Sequence, residues 1–199
     1  MFKRICKITF IAHGSTVFSE NGIINDNLKS PKLNENGENE IEDVCAYLRK
    51  RGVSYDRIYS GPEAYCTQSA QIVAKMFNKK VLKTDLHNRN HGDWNGQSNI
   101  DIFKNFGTAA FAQTPDNGES IKDFNKRVAS KIKEIIYENE GNRVIIVTTP
   151  EIIQSALADT LGLNAKNQYK NLIKTGSLTQ ISYFKGWSSV IYSDYKPIQ

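Results

Sequence analysis

Residues 144–147 read Val-Ile-Ile-Val, four β-branched side chains in a row with no polar residue among them. Such residues are stiff at χ1 and favour extended backbone. A strand with one wet face alternates apolar and polar residues, so an unbroken run belongs to a strand covered on both faces, as in parallel sheets flanked by helices. Those four residues predict an α/β chain.

The rest of the chain follows suit. Residues 5–11 form a second, mostly apolar run ending at His13-Gly14, and a polar loop rich in Asn and Gly extends to about Gly37. Over 38–51 the apolar residues Ile41, Val44, Cys45 and Leu48 recur at the spacing of one helix face. Glu38, Glu40 and Glu42 lead, Arg49, Lys50 and Arg51 trail, and Gly52 follows, in accord with the helix dipole and a C-terminal stop. Residues 56–60 predict a short strand, Gly61-Pro62-Glu63 opens a helix carrying Ala70, Val73, Met76 and Phe77, and 80–84 predicts another strand. The stretch 86–115 is loop-rich with a helical piece over 100–106, and 120–138 is an amphipathic helix through Ile121, Phe124, Val128, Ile132 and Ile135. A helix over 151–161 turns Ile152, Ile153, Ala156 and Leu157 inward; strands over 177–184 and 188–192 are joined as a hairpin by Lys185-Gly186-Trp187. With neither repeats nor a linker, the expectation is one domain over residues 1–199, a three-layer α/β sandwich with a mostly parallel central sheet and helices on both faces.

Composition narrows the function classes. With 39% hydrophobic and 24% charged residues, the 199-residue chain is ordinary for a globular protein and excludes wholesale disorder. No apolar run approaches the roughly 18–20 residues of a membrane span. The start, MFKRICKITFIAHG, is basic then apolar, but Lys7 and His13 interrupt it and no small-residue cleavage site follows, so a cytoplasmic chain without a membrane partner is expected. The formal charge is +5, yet the cations are scattered, as at Lys3-Arg4, Lys79-Lys80 and Lys126-Arg127, and no nucleic-acid partner is expected. Cys6, Cys45 and Cys66 are too few and too irregularly spaced for a disulfide framework or a zinc site.

In such sheets ligands bind beyond the carboxyl ends of the strands. Three turns should meet there, Ala12-His13-Gly14-Ser15-Thr16, Ser60-Gly61-Pro62-Glu63 and Thr148-Thr149-Pro150-Glu151, joined by the loop 86–96; His13, His87 and His91, the three histidines of the chain, all lie in these segments.

The order of the short motifs resembles the histidine phosphatase superfamily in its phosphoglycerate-mutase-like branch. The matching pieces are His13-Gly14-Ser15-Thr16 after the first strand, Ser60-Gly61-Pro62 with Thr67-Gln68-Ser69-Ala70, Gly92-Asp93-Trp94-Asn95-Gly96, Pro115 with Gly118-Glu119-Ser120 leading to Arg127, the 144–147 strand, and Gly176-Ser177-Leu178-Thr179. The resemblance spans nearly the whole chain and implies a phosphoglycerate-mutase-like fold; no cofactor and no metal are expected. It also implies a two-step phosphoryl transfer. A histidine attacks phosphorus, two arginines, a second histidine and often an asparagine hold the phosphoryl oxygens, and a carboxylate protonates the leaving oxygen. Carried over one position at a time, the nucleophile matches His13. The arginine before it is Ala12 here, the second arginine is Tyr65, the asparagine is Ser19, the acid/base glutamate is Asn88, and the second histidine is Thr149. His91 stands where relatives often place an aromatic residue at the substrate mouth.

Phosphoryl transfer is catalysed mainly by positioning and electrostatic stabilisation. Losing one preorganised donor typically costs about 10²–10³ in rate, losing a general acid roughly 10²–10⁴, and each charge-assisted hydrogen bond about 1.5–3 kcal/mol of binding. The resulting expectation is a catalytically degenerate member without ordinary phosphatase or mutase turnover, acting as a binding or regulatory pseudoenzyme for a small-molecule ligand or a protein partner. Two alternatives stand beside it: a repurposed pocket acting on a less charged metabolite, with His13 as base or nucleophile and Tyr65, Asn88 or Glu151 assisting, and a weak residual phosphatase in which Arg89 replaces the lost cations. Structural readings compete at each position. Thr149-Pro150-Glu151 is a good helix start, with Thr as N-cap and Pro at the first helical position. Glu63 and Glu151 either place a carboxylate beside His13 or serve their helix ends alone. A metal site of His13, His87 and His91 is disfavoured, since an i, i+4 pair helps only on a helix. Cys66 reads as packed, and Asp93 and Trp94 as loop structure. For quaternary state the resemblance allows a homo-oligomer, relatives ranging from monomers to tetramers.

Overall fold

In the computed structural model, which describes residues 3–25 and 31–197, the β-branched run lies in the strand Arg143–Thr148 (β4), in the middle of the sheet. The first strand, Arg4–Ala12 (β1), flanks it on one side and Arg57–Ser60 (β2) on the other, both parallel to it, and Val81–Lys83 (β3) continues the parallel set beyond β2. Leu178–Phe184 (β5) pairs antiparallel with β1, and Trp187–Tyr195 (β6) antiparallel with β5, giving a six-stranded sheet in the order β3-β2-β4-β1-β5-β6. The helices are Val17–Glu20 (α1), Glu35–Lys50 (α2), Ala64–Phe77 (α3), Asn99–Phe106 (α4), Ile121–Glu138 (α5), Pro150–Leu161 (α6) and Ala165–Gln168 (α7). No helix among the described residues is long and apolar enough to cross a membrane.

Period-two alternation sends the side chains of β4 to opposite sides. Val144 and Ile146 join Ile8 and Phe10 in a core closed by Phe124, Val128 and Ile132 of α5 and Ile152, Ile153 and Leu157 of α6. Ile145 and Val147 join Ile11 and Ile58 in a second core closed by Ile41, Val44 and Leu48 of α2 and Cys66, Ala70 and Val73 of α3. The run is buried on both faces, and the three layers are α5 and α6, the sheet, then α2 and α3.

Several boundaries differ from the sequence reading. Helix α2 starts at Glu35 rather than 38, because the Asn34 side-chain oxygen accepts from the Gly37 amide at 2.8 Å and caps a polar first turn that carries no apolar period. The loop expected up to Gly37 therefore ends at Asn34, contains α1, and includes residues 26–30, which lie outside the described residues. Trp187 belongs to β6 rather than to the turn: it pairs with Phe184, their rings stacked at 4.2 Å and 4° between planes.

One close approach fixes the start of the site. A Cβ on Gly14 would lie 2.1 Å from the Gly37 carbonyl oxygen, and one on Gly37 would lie 2.1 Å from that of Ser15. The first turn of α2 is thus seated on the loop after β1 with room for glycine only, and that loop carries His13.

Candidate functional site

His13 follows directly on β1, where its amide donates to the Thr148 carbonyl at 3.0 Å and its carbonyl accepts from the Gly176 amide at 3.0 Å, so the end of β4 and the turn before β5 hold its backbone. Its ring Nδ1 lies 2.7 Å from the Gly14 carbonyl oxygen. A carbonyl oxygen only accepts, so Nδ1 carries the proton and Nε2 keeps the lone pair of a neutral imidazole. Burial pushes the His13 pKa down to about 4, against the opposing pull of the Gly14 carbonyl and the Glu40 carboxylate. The ring packs on Tyr65 at 4.3 Å between centroids. Gly14 N–H donates to Ser69 Oγ at 3.1 Å, tying the loop to α3. Ser15 donates through its amide and its hydroxyl to Glu40 Oε2 at 2.8 and 2.9 Å, tying the loop to α2.

His13 lines an open cavity of about 710 Å³ whose wall also includes Ser19, Tyr65, Asn88, Arg89, His91, Thr149 and Glu151. The first and third turns and the 86–96 loop meet at this cavity, whereas no residue of Ser60-Gly61-Pro62-Glu63 lines it; that turn reaches the site through the bond from the Asn88 amide to Glu63. Two expected members stay outside: Ala12 is wholly buried in the core between β1 and α6, and Ser15 is turned to Glu40. Ser19 reaches the wall with its hydroxyl engaged in the capping box of α1, donating to the Thr16 carbonyl and accepting from the Thr16 amide.

The loop that carries Asn88 is clamped from below. Arg127 grips Glu119 through Nε and one terminal nitrogen at 2.6 and 2.8 Å, and donates to the carbonyls of His87 and Asn88 at 2.8 and 2.7 Å. Glu63, expected as a candidate carboxylate beside His13, accepts instead from the Asn88 amide at 2.7 Å and is absent from the cavity wall; burial pushes its pKa up, opposed by that bond. Thr149 sits at the N-cap of α6 with Pro150 next, as its sequence suggests, yet its hydroxyl does not cap the helix: it donates to Asn88 Oδ1 at 2.9 Å. Asn88 thereby bridges the end of β4 and the start of α3.

Arg89, whose direction the sequence leaves open, is buried and lines the cavity. It donates to the carbonyls of Glu119 and Gln113 at 2.9 and 2.8 Å and to the Tyr169 hydroxyl at 3.4 Å, and lies 4.0 Å from Glu151. The Tyr169 hydroxyl donates to Glu151 Oε1, and His91 Nε2 lies 3.4 Å from Oε2. Burial alone would push the Glu151 pKa up, but His91, the Tyr169 hydroxyl and the Arg89 guanidinium together hold it below the usual carboxylate range. Tyr169 is pushed up by burial and by that same carboxylate. Neither Glu63 nor Glu151 is hydrogen-bonded to His13 among the described residues.

His87 points away from the cavity, exposed beside Asp123 and Arg127, so the three histidines do not converge. Among the described residues no group of three His, Cys, Asp or Glu side chains is arranged to hold a metal. Cys66 is fully buried, its thiol pushed up by burial and by Glu63. Trp94, read from sequence as loop structure, is a wall residue, packed with Ile102 and Ala110. Sequence reasoning also missed Tyr169 and the apolar wall of Phe18, Ile24, Phe103 and Leu172. Tyr169 carries no local signal, being brought to Glu151 and Arg89 from 18 and 80 positions away. Phe103 carries one: it is a large apolar residue on the exposed side of a short amphipathic helix.

A model of the histidine phosphatase superfamily, branch 1, matches residues 8–193, from β1 through most of β6. The chain belongs to this superfamily. Among its curated relatives, a phosphoglycerate mutase of Schizosaccharomyces pombe is 26% identical over 161 residues, covering 74% of this chain and 76% of that one. A broad-specificity phosphatase of Saccharomyces cerevisiae is 23% identical over 187 residues, covering 91% of this chain and 81% of that one. Among solved structures, a phosphoserine phosphatase of Entamoeba histolytica in complex with 3-phosphoglyceric acid superposes with a TM-score of 0.82 at 20% identity, over 95% of this chain and 96% of that one. An alpha-ribazole phosphatase of Shigella flexneri gives 0.82 at 18% identity, over 97% and 98%. These structures share the superfamily's mixed α/β fold with this chain, and His13 falls in its first loop.

Proposed function

We propose that this chain is a ligand-binding member of the superfamily that does not run a phosphohistidine cycle. The observation that carries the reading is the charge inventory of the cavity. Among the described wall residues Arg89 is the one guanidinium, there is no lysine, and Arg89 is already spent on two carbonyls, a tyrosine hydroxyl and the neighbouring Glu151. A phosphoryl dianion at His13 would thus lack the paired cations that make its transfer fast. Asn88, where the resemblance puts the general acid, has an amide with no proton to deliver at neutral pH, and its oxygen already accepts from Thr149.

The test is hydrolysis of 4-nitrophenyl phosphate by the wild-type chain and by His13→Ala. Equal background rates are expected. A rate that is clearly above background and disappears in the variant would overturn the reading and favour a residual phosphatase built on Arg89.

A second reading, a repurposed enzyme with His13 as general base, draws on the neutral ring and its Nε2 lone pair. Its weakness is quantitative: with a pKa near 4 the imidazole is a poor proton acceptor compared with a base tuned near the working pH. Ligand binding is the better-supported role.

A further inference from the structure

Resting on the reading of the cavity as a binding site, we infer its ligand class: an uncharged small molecule with an apolar body and a hydroxyl head that donates a hydrogen bond to His13 Nε2. Three observations converge on this. The first is the wall. Phe18, Ile24, Trp94, Ile102, Phe103 and Leu172 line the same cavity as His13, and two of them, Phe103 and Leu172, stand 52% and 67% exposed. Isolated exposed apolar residues are ordinary on protein surfaces. A pair of large ones on the wall of an open cavity of about 710 Å³, a size suited to small molecules, gives an apolar ligand body a surface to cover.

The second observation concerns charge. Arg89 and Glu151 face each other at 4.0 Å, with His91 at 3.4 Å from the same carboxylate. An anionic ligand finds its cation already shared with a carboxylate, and a cationic ligand finds its carboxylate shared with a guanidinium. A neutral ligand disturbs neither.

The third is the sense of the hydrogen bond on offer. The Nδ1–H of His13 is committed to the Gly14 carbonyl, and Nε2 makes no hydrogen bond among the described residues. What the ring has left for a ligand is a lone pair. A hydroxyl can donate to it, whereas the oxygens of a fully ionised phosphate only accept and find no unshared cation among the described wall residues to hold them there. A buried acceptor of this kind discriminates strongly for a donor, because leaving it unmatched costs the bond that water would supply.

The experiment compares 4-phenylbutan-1-ol with its phosphate monoester, reading the emission of Trp94 in the cavity wall. Trp187→Phe removes the other tryptophan, which stacks on Phe184 in the β5–β6 hairpin, and so leaves one reporter. The alcohol is expected to change the emission saturably and to bind at least tenfold tighter than the phosphate. Phe103→Asp, at a half-exposed position that tolerates the change, is expected to weaken the alcohol at least tenfold, and His13→Leu likewise. Binding of the phosphate as tight as or tighter than that of the alcohol would overturn the inference, as would alcohol binding indifferent to Phe103→Asp, or no saturable alcohol binding at all. Should His13→Leu fail to fold, the Phe103 variant and the alcohol–phosphate pair still decide. Release of the alcohol from the phosphate by the wild-type chain and not by His13→Ala would instead strike at the functional reading beneath it; tight phosphate binding without turnover strikes at the ligand class alone.

Discussion

Two forces meet on the imidazole of His13. Burial disfavours its charged form, while the Gly14 carbonyl and the Glu40 carboxylate favour it, and burial wins, leaving the pKa near 4. An unfolded histidine titrates near 6.5. Between those values the unfolded chain binds the proton and the folded one does not, so this residue's contribution to stability is complete above about pH 6.5 and falls away as the pH drops toward 4. From pH 7 to pH 5 the expected loss is about 2 kcal/mol. Urea unfolding at the two values, on the wild-type chain and on His13→Asn, isolates it, because Glu63 and Glu151 titrate in both proteins and cancel in the difference. Equal pH dependence in the two would mean that the ring is hydrated or charged in the folded chain. The same neutrality fixes the ring's chemistry, since a histidine held uncharged by its surroundings offers a lone pair throughout the physiological range.

At the scale of elements, the position of His13 depends on the seating of α2. The Gly14–Gly37 contact leaves no space for a methyl group, and Glu40, one turn further along α2, binds Ser15 through two hydrogen bonds and Lys196 at 2.6 Å. Gly37→Ala is expected to destabilise the fold by about 3 kcal/mol, the upper end of ordinary overpacking, because its Cβ meets backbone that cannot swing aside. Gly52→Ala is no fair control, since that glycine has a positive φ of its own, so the comparison is with Asn36→Ala on the exposed side of the same turn, expected to change stability by less than about 1 kcal/mol. Thermal unfolding of the two variants checks the contrast. This contact also marks where sequence reasoning stops. The 144–147 run, the face of Ile41, Val44 and Leu48, and the Ile121–Ile135 stripe each carry their periodicity within one segment, and each is legible. Helices α1 and α7 span a single turn, which leaves no second turn for a pattern to repeat on. Thr149 looks like a capping residue because only its neighbours in sequence are in view; its real partner, Asn88, comes from 61 positions away. The turns that gather at the site follow from the order of the strands, whereas Arg89, Tyr169 and Glu151 meet by tertiary packing that no local spacing records.

The proposed absence of a phosphate site has a test in the fold as a whole: returning arginines to the positions where the resemblance expects them. Of the two positions where the resemblance places arginines, Ala12 lies with no exposure in the core beside Ile153 and Phe10, while Tyr65 stands on the cavity wall against the His13 ring. The two differ in kind. An arginine at 12 would put a guanidinium at a wholly buried position of the β1 core, a cost of several kcal/mol, and Ala12→Arg is expected to lose cooperative folding. An arginine at 65 replaces a ring of similar volume beside an open cavity of about 710 Å³, where its charge reaches solvent and ligand alike. Tyr65→Arg is therefore expected to fold and to add one charge-assisted bond to an anion, about 1.5–3 kcal/mol, or roughly ten- to a hundredfold in affinity. Sulfate is the probe, read as the rise in Tm it produces: negligible for the wild-type chain, and a clear concentration-dependent increase for the variant. If sulfate stabilises the wild-type chain as strongly as the variant, then the Arg89–Glu151 pair already opens to anions and the cavity is cationic in effect. If it stabilises neither, charge is not what the cavity lacks, and the geometry around His13 rather than its electrostatics separates this chain from a phosphate-binding one.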